Sequence, residues 1–341
     1  MPLTLMKATL PQPAHTHAPE RFAGFQQQHE LAGVRFTWAQ VVFCGVLVFC
    51  LTPWASAPLA LALGLLVAQT SGNPFVAKTR LATARLLQYS VIGLGFGMNA
   101  TVAAQAGREG LAFAVASIIG TLVLGFFVGR ALGLGRTVTH LISCGTAICG
   151  GSAIAAVGPV MKAKEEELSV ALGTVFILNA IALFAFPPIG HLLNLTQHQF
   201  GLWCAIAIHD TSSVVGAATA YGDAALQTAT TVKLARALWI IPVALGTAVL
   251  FKQKDVKVKI PYFILGFIGA MLLNTYVPAL HEAGQWVVKL AKIGLTVTLF
   301  FIGAGLSGKL LKAVGPRPFV LGVVLWLLIS TVSLYVIQHT V

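Results

Sequence analysis

Long apolar runs dominate this chain, and that one feature leaves few folds open to it. A helix needs about 20 apolar residues to cross roughly 30 Å of hydrocarbon. Eleven stretches approach or reach that length: 36–53, 55–69, 81–100, 110–132, 138–161, 168–190, 201–222, 226–250, 260–278, 286–306 and 319–337. In lipid every backbone polar group needs an internal partner, so such stretches become helices. Composition agrees, since 57% of the 341 residues are hydrophobic and 9% are charged, where soluble domains carry about 25% charged residues. The sequence therefore predicts an all-α, polytopic transmembrane helix bundle. The first two stretches abut at Thr52-Pro53 and can form one hairpin or one crossing plus a partial helix, so the expected count is ten or eleven spans.

Residues 1–35 are rich in His, Pro and Gln and lack the apolar core of a cleavable signal peptide. They read as a flexible cytoplasmic tail ahead of one transmembrane domain, 36–341. Lys and Arg set the orientation, because short cytoplasmic loops carry the positive excess. If all eleven stretches cross, Lys78, Arg80, Arg85, Arg130, Arg136 and the lysines of 252–259 and 309–312 fall on one side with Arg317. Arg108, Lys162, Lys164, Lys289 and Lys292 fall on the other. The N-terminus is then cytoplasmic, as are the loop 252–259 and the connection 191–199. The formal charge of +12 is accounted for by anionic lipid, and no nucleic-acid partner is called for. Cys44, Cys50, Cys144, Cys149 and Cys204 all lie inside apolar stretches, which speaks against disulfides and structural zinc. No cofactor or metal motif is present, and an intact P-loop is excluded because no Lys follows Gly150-Gly151-Ser152.

Polar residues in three stretches mark a candidate site. The fifth contains Ser143-Cys144-Gly145-Thr146-Ala147-Ile148-Cys149-Gly150-Gly151-Ser152. Such small residues either let helices pack closely or interrupt a helix so that backbone N–H groups face a cavity. The seventh contains His209-Asp210-Thr211-Ser212-Ser213. Ionisable residues at membrane depth are costly and point to function, and Asp-Thr-Ser-Ser has the residue types of a helix N-cap. With an offset of 60, Cys144, Ala147, Ile148 and Ser152 fall on Cys204, Ala207, Ile208 and Ser212, as internal repeats built around paired broken helices would. The eighth contains Lys233 and Arg236, three residues apart and so on one helical face. They either snorkel to the interface or point inward to Asp210 or to a transported anion.

Gly145-Thr-Ala-Ile-Cys-Gly-Gly-Ser-Ala-Ile154, Ile208-His-Asp-Thr-Ser-Ser213, Lys233-Leu-Ala-Arg236 and Gly303-Ala-Gly-Leu-Ser307 together resemble the YeiH-type sulfate exporter family. The resemblance runs from about residue 36 onward. It implies a bacterial inner-membrane protein that moves a sulfate-like anion. One departure is that Gly95-Phe96 is followed by Gly97, where many members of that family carry a basic residue.

The residues and the resemblance give one expectation: a secondary transporter, not an enzyme, exporting a small inorganic or organic anion such as a sulfate-like oxyanion or a sulfonate breakdown product. Gly150, Gly151, Ser152, Thr211, Ser212 and Ser213 would donate to the anion, and Lys233 and Arg236 would balance its charge. His209 or Asp210 would carry the coupling ion, a proton or sodium. An anion channel and a cation/proton antiporter using Asp210 are the alternatives, and a homo-oligomer is left open.

Overall fold

The computed structural model describes residues 28–31, 34–251, 262–306 and 314–341. Most of the 1–35 tail, the lysine-rich 252–259 loop, Ser307, Lys309 and Lys312 lie outside the described residues. Strands β1 (Gln28–Leu31) and β2 (Val34–Thr37) form an antiparallel hairpin that leads into α1 (Trp38–Cys50). Thr37 and Gln40 close the start of α1 as a capping box, each side chain bonded to the other's backbone N–H.

The rest is an all-α bundle, as expected. In chain order follow α2 (Ala57–Thr70), α3 (Val76–Leu94), α4 (Ala100–Ala131), α5 (Arg136–Ala147), α6 (Gly151–Val160), α7 (Glu165–Leu192), α8 (Gln197–Ala207) and α9 (Thr211–Tyr221). Then come α10 (Asp223–Ala237), α11 (Ile240–Leu250), α12 (Tyr262–Tyr276), α13 (His281–Gly305) and α14 (Pro316–Thr340). Each of the eleven apolar stretches is thus a helix or a pair of helices. Among the described residues five units are long and apolar enough to cross a membrane, namely 114–131, 165–192, 223–250, 278–305 and 316–340. Large apolar side chains such as Phe127, Leu192, Val249 and Trp286 are exposed on the outside of the bundle, the surface a lipid-embedded protein presents.

The fifth and seventh stretches are broken at Gly150 and Asp210, as their composition suggested, but neither runs on through the bundle. Both turn back. Phe200 near the start of α8 stacks on Tyr221 at the end of α9, with ring centroids 3.7 Å apart. The Tyr221 hydroxyl donates to the Leu195 carbonyl at 2.6 Å, and the amides of Ala224 and Ala225 donate to Gln197. Twenty-one residues of continuous helix would hold Phe200 and Tyr221 about 30 Å apart at 1.5 Å per residue, so α8 and α9 form a re-entrant hairpin. The first break behaves likewise. Ile154 of α6 lies against Gly145 of α5, while Val160 and Met161 share a core with Leu141, Ile142 and Val138. His140 of α5 bonds Thr247 of α11 at 2.8 Å, and α6 packs on that same α11.

The two hairpins enter from opposite ends. α4 finishes where α5 begins, with Gly129 against Thr139. α7 starts at that end, with Leu168 against Gly158, and finishes at the other, where His191 stacks on Tyr221 at 4.3 Å. This corrects the assignment of sides, because strict alternation assumes that every apolar stretch crosses. The connection around 191–199 lies at the opposite end from Arg130, Arg136 and Leu250. Lys162 and Lys164 share the end of Arg130 and Arg136, away from Lys292.

Two groups of helices make up the bundle: α4 to α11 with α14, and α1 to α3 with α12 and α13. The second is built on a close crossing of α2 and α13. A Cβ on Gly64 would fall 2.2 Å from the Phe300 carbonyl oxygen, and one on Gly303 would fall 2.4 Å from that of Leu61. Only glycine lets the two backbones approach so far.

Candidate functional site

The tips of the two hairpins meet inside the bundle. A Cβ on Gly150 would lie 3.4 Å from both the Asp210 amide nitrogen and the His209 carbonyl carbon. Ile148, Cys149, Ile208, His209 and Asp210 are all buried there. The first tip depends on Gly150, whose φ of 66° and ψ of −125° lie where a side chain strains the backbone. The second depends on Asn179 of α7, whose side-chain oxygen accepts from the backbone N–H of both His209 (3.1 Å) and Asp210 (3.2 Å).

Each tip presents a helix C-terminus and a helix N-terminus, and the chain treats the two kinds of end differently. At the N-terminus of α9, Asp210 caps its own helix, its Oδ2 accepting from the amides of Ser212 (3.1 Å) and Ser213 (3.4 Å) and from the Ser212 hydroxyl. A carboxylate there offsets the positive end of the dipole. At the N-terminus of α6 no side chain caps, for Gly150 has none to offer. The Ala153 N–H meets the Cys149 sulfur; those of Gly151 and Ser152 have no carbonyl one turn back and remain for a ligand or water.

The C-terminal ends belong to α10. Lys233 and Arg236 are each 0% exposed, so they do not snorkel. Lys233 Nζ donates to the carbonyls of Ile208 (2.6 Å) and Ala205 (3.3 Å). Arg236 Nη1 donates to Ile206 (2.7 Å) and Ala205 (3.4 Å), and its Nη2 donates to Ala147 at the end of α5. A single guanidinium therefore holds a carbonyl from each hairpin. The helix-terminal carbonyls would otherwise be buried and unpaired, at about 1–3 kcal/mol each. The cations and Asp210 do not pair with one another within salt-bridge distance among the described residues.

Several polar atoms around the tips have no partner. Both ring nitrogens of His209, which is 1% exposed, are unpaired, as are Nδ2 of Asn179, Nε of Arg236 and the hydroxyls of Thr146, Thr230 and Thr231. Buried polar groups are nearly always hydrogen-bonded, so this cluster of exceptions marks where a polar ligand or water would find partners. A cavity of about 240 Å³ at the Tyr221 end, lined by Met98, Asp223, Gln227 and Lys292 among others, touches this set at Thr230.

Of the residues singled out from sequence, Gly150, Thr211, Ser212, Ser213, His209, Asp210, Lys233 and Arg236 are brought together and buried. Gly151 is half-buried, and Ser152 is exposed on α6. Asn179, Thr146, Thr230 and Thr231 belong to the cluster and were not singled out. Asn179 was findable, since an amide in Val175-Phe-Ile-Leu-Asn-Ala-Ile181 is as anomalous in a span as Asp210.

The fold defines a helical integral membrane protein, and its paired hairpin tips enclose a cluster of buried polar groups within the bundle. The chain belongs to the family described as Conserved hypothetical protein 698, whose model matches residues 37–322, in keeping with the resemblance drawn from its motifs. It is 55% identical over 283 residues to a UPF0324 membrane protein of Bacteroides thetaiotaomicron, covering 82% of this chain and 86% of the relative. A UPF0324 membrane protein of Porphyromonas gingivalis is 55% identical over 287 residues, covering 83% and 87%. One from Vibrio parahaemolyticus is 52% identical over 293 residues, covering 84% and 94%. No solved structure shows significant similarity to the chain.

Proposed function

We propose that this protein is a secondary transporter that carries a small anion, of the size and charge of sulfate or a sulfonate breakdown product, through the bacterial inner membrane. The observation that carries the reading is the meeting of two re-entrant hairpin tips around an uncapped helix N-terminus and unpaired polar groups. With Lys233, Arg236 and Asp210 ionised, the tips hold one excess positive charge at a depth where an uncompensated charge is costly. A bound anion removes that excess. The free N–H groups of α6 and the His209 ring supply hydrogen-bond donors for it. Lys233 and Arg236 act on the anion through their charge, since their donors are engaged by carbonyls.

The side assignment follows the same geometry. With the first hairpin opening at the end of Arg130, Arg136, Lys162 and Lys164, that end takes the positive excess and faces the cytoplasm. The start of α1 lies there as well, since Cys50 at its other end lines a cavity with Ala220 and Lys292, and the hairpin of Phe200 and Tyr221 opens to the outside.

A thermal-shift screen of the purified protein against sulfate, sulfite, thiosulfate, sulfonates and carboxylates tests the reading, because a ligand of the native state raises its melting temperature. One class of anion should stabilise the protein, and the same anion should show trans-stimulated counterflow in proteoliposomes. Flux without counterflow would make the protein a channel. Absence of both stabilisation and flux with every anion would overturn the anion reading.

A further inference from the structure

The carbonyl oxygens at the end of α8 form a cation position. Broken helices in carriers offer such C-terminal carbonyls to coupling cations, while their N-termini face anionic groups. Here that position is already filled. Lys233 reaches it from α10 with its whole side chain buried and sets its ammonium 2.6 Å from the Ile208 carbonyl and 3.3 Å from that of Ala205. Arg236, one turn on, occupies the neighbouring carbonyls of Ile206 and Ala147.

We propose that Lys233 is a tethered cation standing in the coupling-ion position between the hairpin tips, so that the carrier has no sodium site there and works without sodium. The inference deepens the transporter reading and rests on it. Three features of the site support it. The ammonium is a compact, strongly hydrated monovalent charge, and here it takes up two carbonyl oxygens. The carboxylate that a sodium ion would call on, Asp210, turns its Oδ2 to the first turn of α9. The other groups near Lys233 are Arg236 on its own helix, Cys204 on α8, Cys149 on the first tip and His209 on the second. Apart from Asp210, which also faces Lys233, none of these groups is an anionic oxygen ligand, and α4 meets this part of α10 through Ile118 and Leu122. A second, mobile cation would enter beside two fixed ones with no vacant oxygen cage to receive it.

The experiment measures melting temperature and so needs neither the substrate nor transport, which separates failure of this inference from failure of the anion reading. Purified wild-type protein is melted in sodium, potassium and choline chloride at matched concentration. The three values should coincide, and a sodium-specific rise would overturn the proposal. Lys233→Ala is then titrated with sodium chloride and with propylammonium chloride, whose three carbons and ammonium match the part removed. This variant should melt several degrees lower in choline and recover saturably with propylammonium, whereas Lys233→Met, which fills the space without charge, should not respond. A folded Lys233→Ala protein indifferent to propylammonium and sodium would also overturn it. If Lys233→Ala does not fold, the wild-type comparison decides alone.

Discussion

Arg236→Lys keeps the charge at the tips and removes the fork. The guanidinium reaches Ile206 on the second hairpin with Nη1 and Ala147 on the first with Nη2. A lysine ammonium has three donors but is a single point on a flexible stem, so in moving to one of these carbonyls it gives up the position that Nη1 or Nη2 held at the other. The other is left in a site where Ala147 and Ile148 are 0% exposed, far from bulk water. An unmade hydrogen bond to a buried acceptor costs about 1–3 kcal/mol, and this figure is the expected loss of stability. Arg236→Met leaves both carbonyls bare, about 2–6 kcal/mol on the same scale, less the desolvation recovered when a buried cation is removed. The measurement is reversible unfolding by SDS in mixed micelles, with hydrogen exchange followed at 148–153 and 208–213. Arg236→Lys should lower the unfolding free energy and speed exchange at both tips together, because the two hairpins lose their shared clamp. If Arg236→Lys unfolds like the wild type and exchange at the tips is unchanged, the guanidinium does not join the hairpins and its contacts are incidental.

Other expectations follow from the same geometry. In a cysteine-free background, cysteines at Asn194 and Asp223 should react with an impermeant reagent from the same side of the membrane and cysteines at Arg136 and Lys164 from the other, and Asn194 and Asp223 reacting from opposite sides would refute the fold-back of α8 and α9. Gly150→Ala should cost about 1–3 kcal/mol for holding a side chain in this sparsely populated positive-φ backbone, with more from the approach to Val175 at 3.2 Å. Unfolding by SDS measures it, and an unchanged midpoint would mean that the tip does not need this conformation. Asn179→Leu deprives the His209 and Asp210 amides of their acceptor, at about 1–3 kcal/mol each. It should destabilise the protein and weaken anion-induced thermal shifts more than Asn179→Asp, which keeps the acceptor oxygen, and equal behaviour of the two variants would count against the role given to Asn179.

What the sequence made legible, and what it withheld, divides along a physical line. The break points could be read because breaking a helix is local chemistry: Gly150 supplies a backbone conformation that other residues resist, and Asp210 is a capping side chain placed where a helix restarts. The echo at an offset of 60 has a structural counterpart. Cys144 and Cys204 lie in the last turns of α5 and α8, and Ser152 and Ser212 are the second residues of α6 and α9. The echo therefore aligns two hairpins that enter from opposite ends. The fold-back itself was not legible, because hydropathy is the same for 25 apolar residues that cross and for 25 that dip in and return. What tells them apart is contact across the hairpin, Phe200 on Tyr221 and Ile154 on Gly145, and neither pair stands out by composition. Charge could have spoken earlier. Lys162 and Lys164 sit on the less basic side under strict alternation, and folding the fifth stretch back moves them to the end of Arg130 and Arg136. The roles of Lys233 and Arg236 were hidden for a related reason. Sequence shows a cation but not the carbonyl it serves, and a helix end becomes a ligand for a side chain only once the chain has turned the two toward each other. From sequence alone the pair reads as charge for an anion. In the fold it first holds together the two negative helix ends, and that arrangement leaves the uncapped N-terminus of α6 as the remaining positive end at the tips.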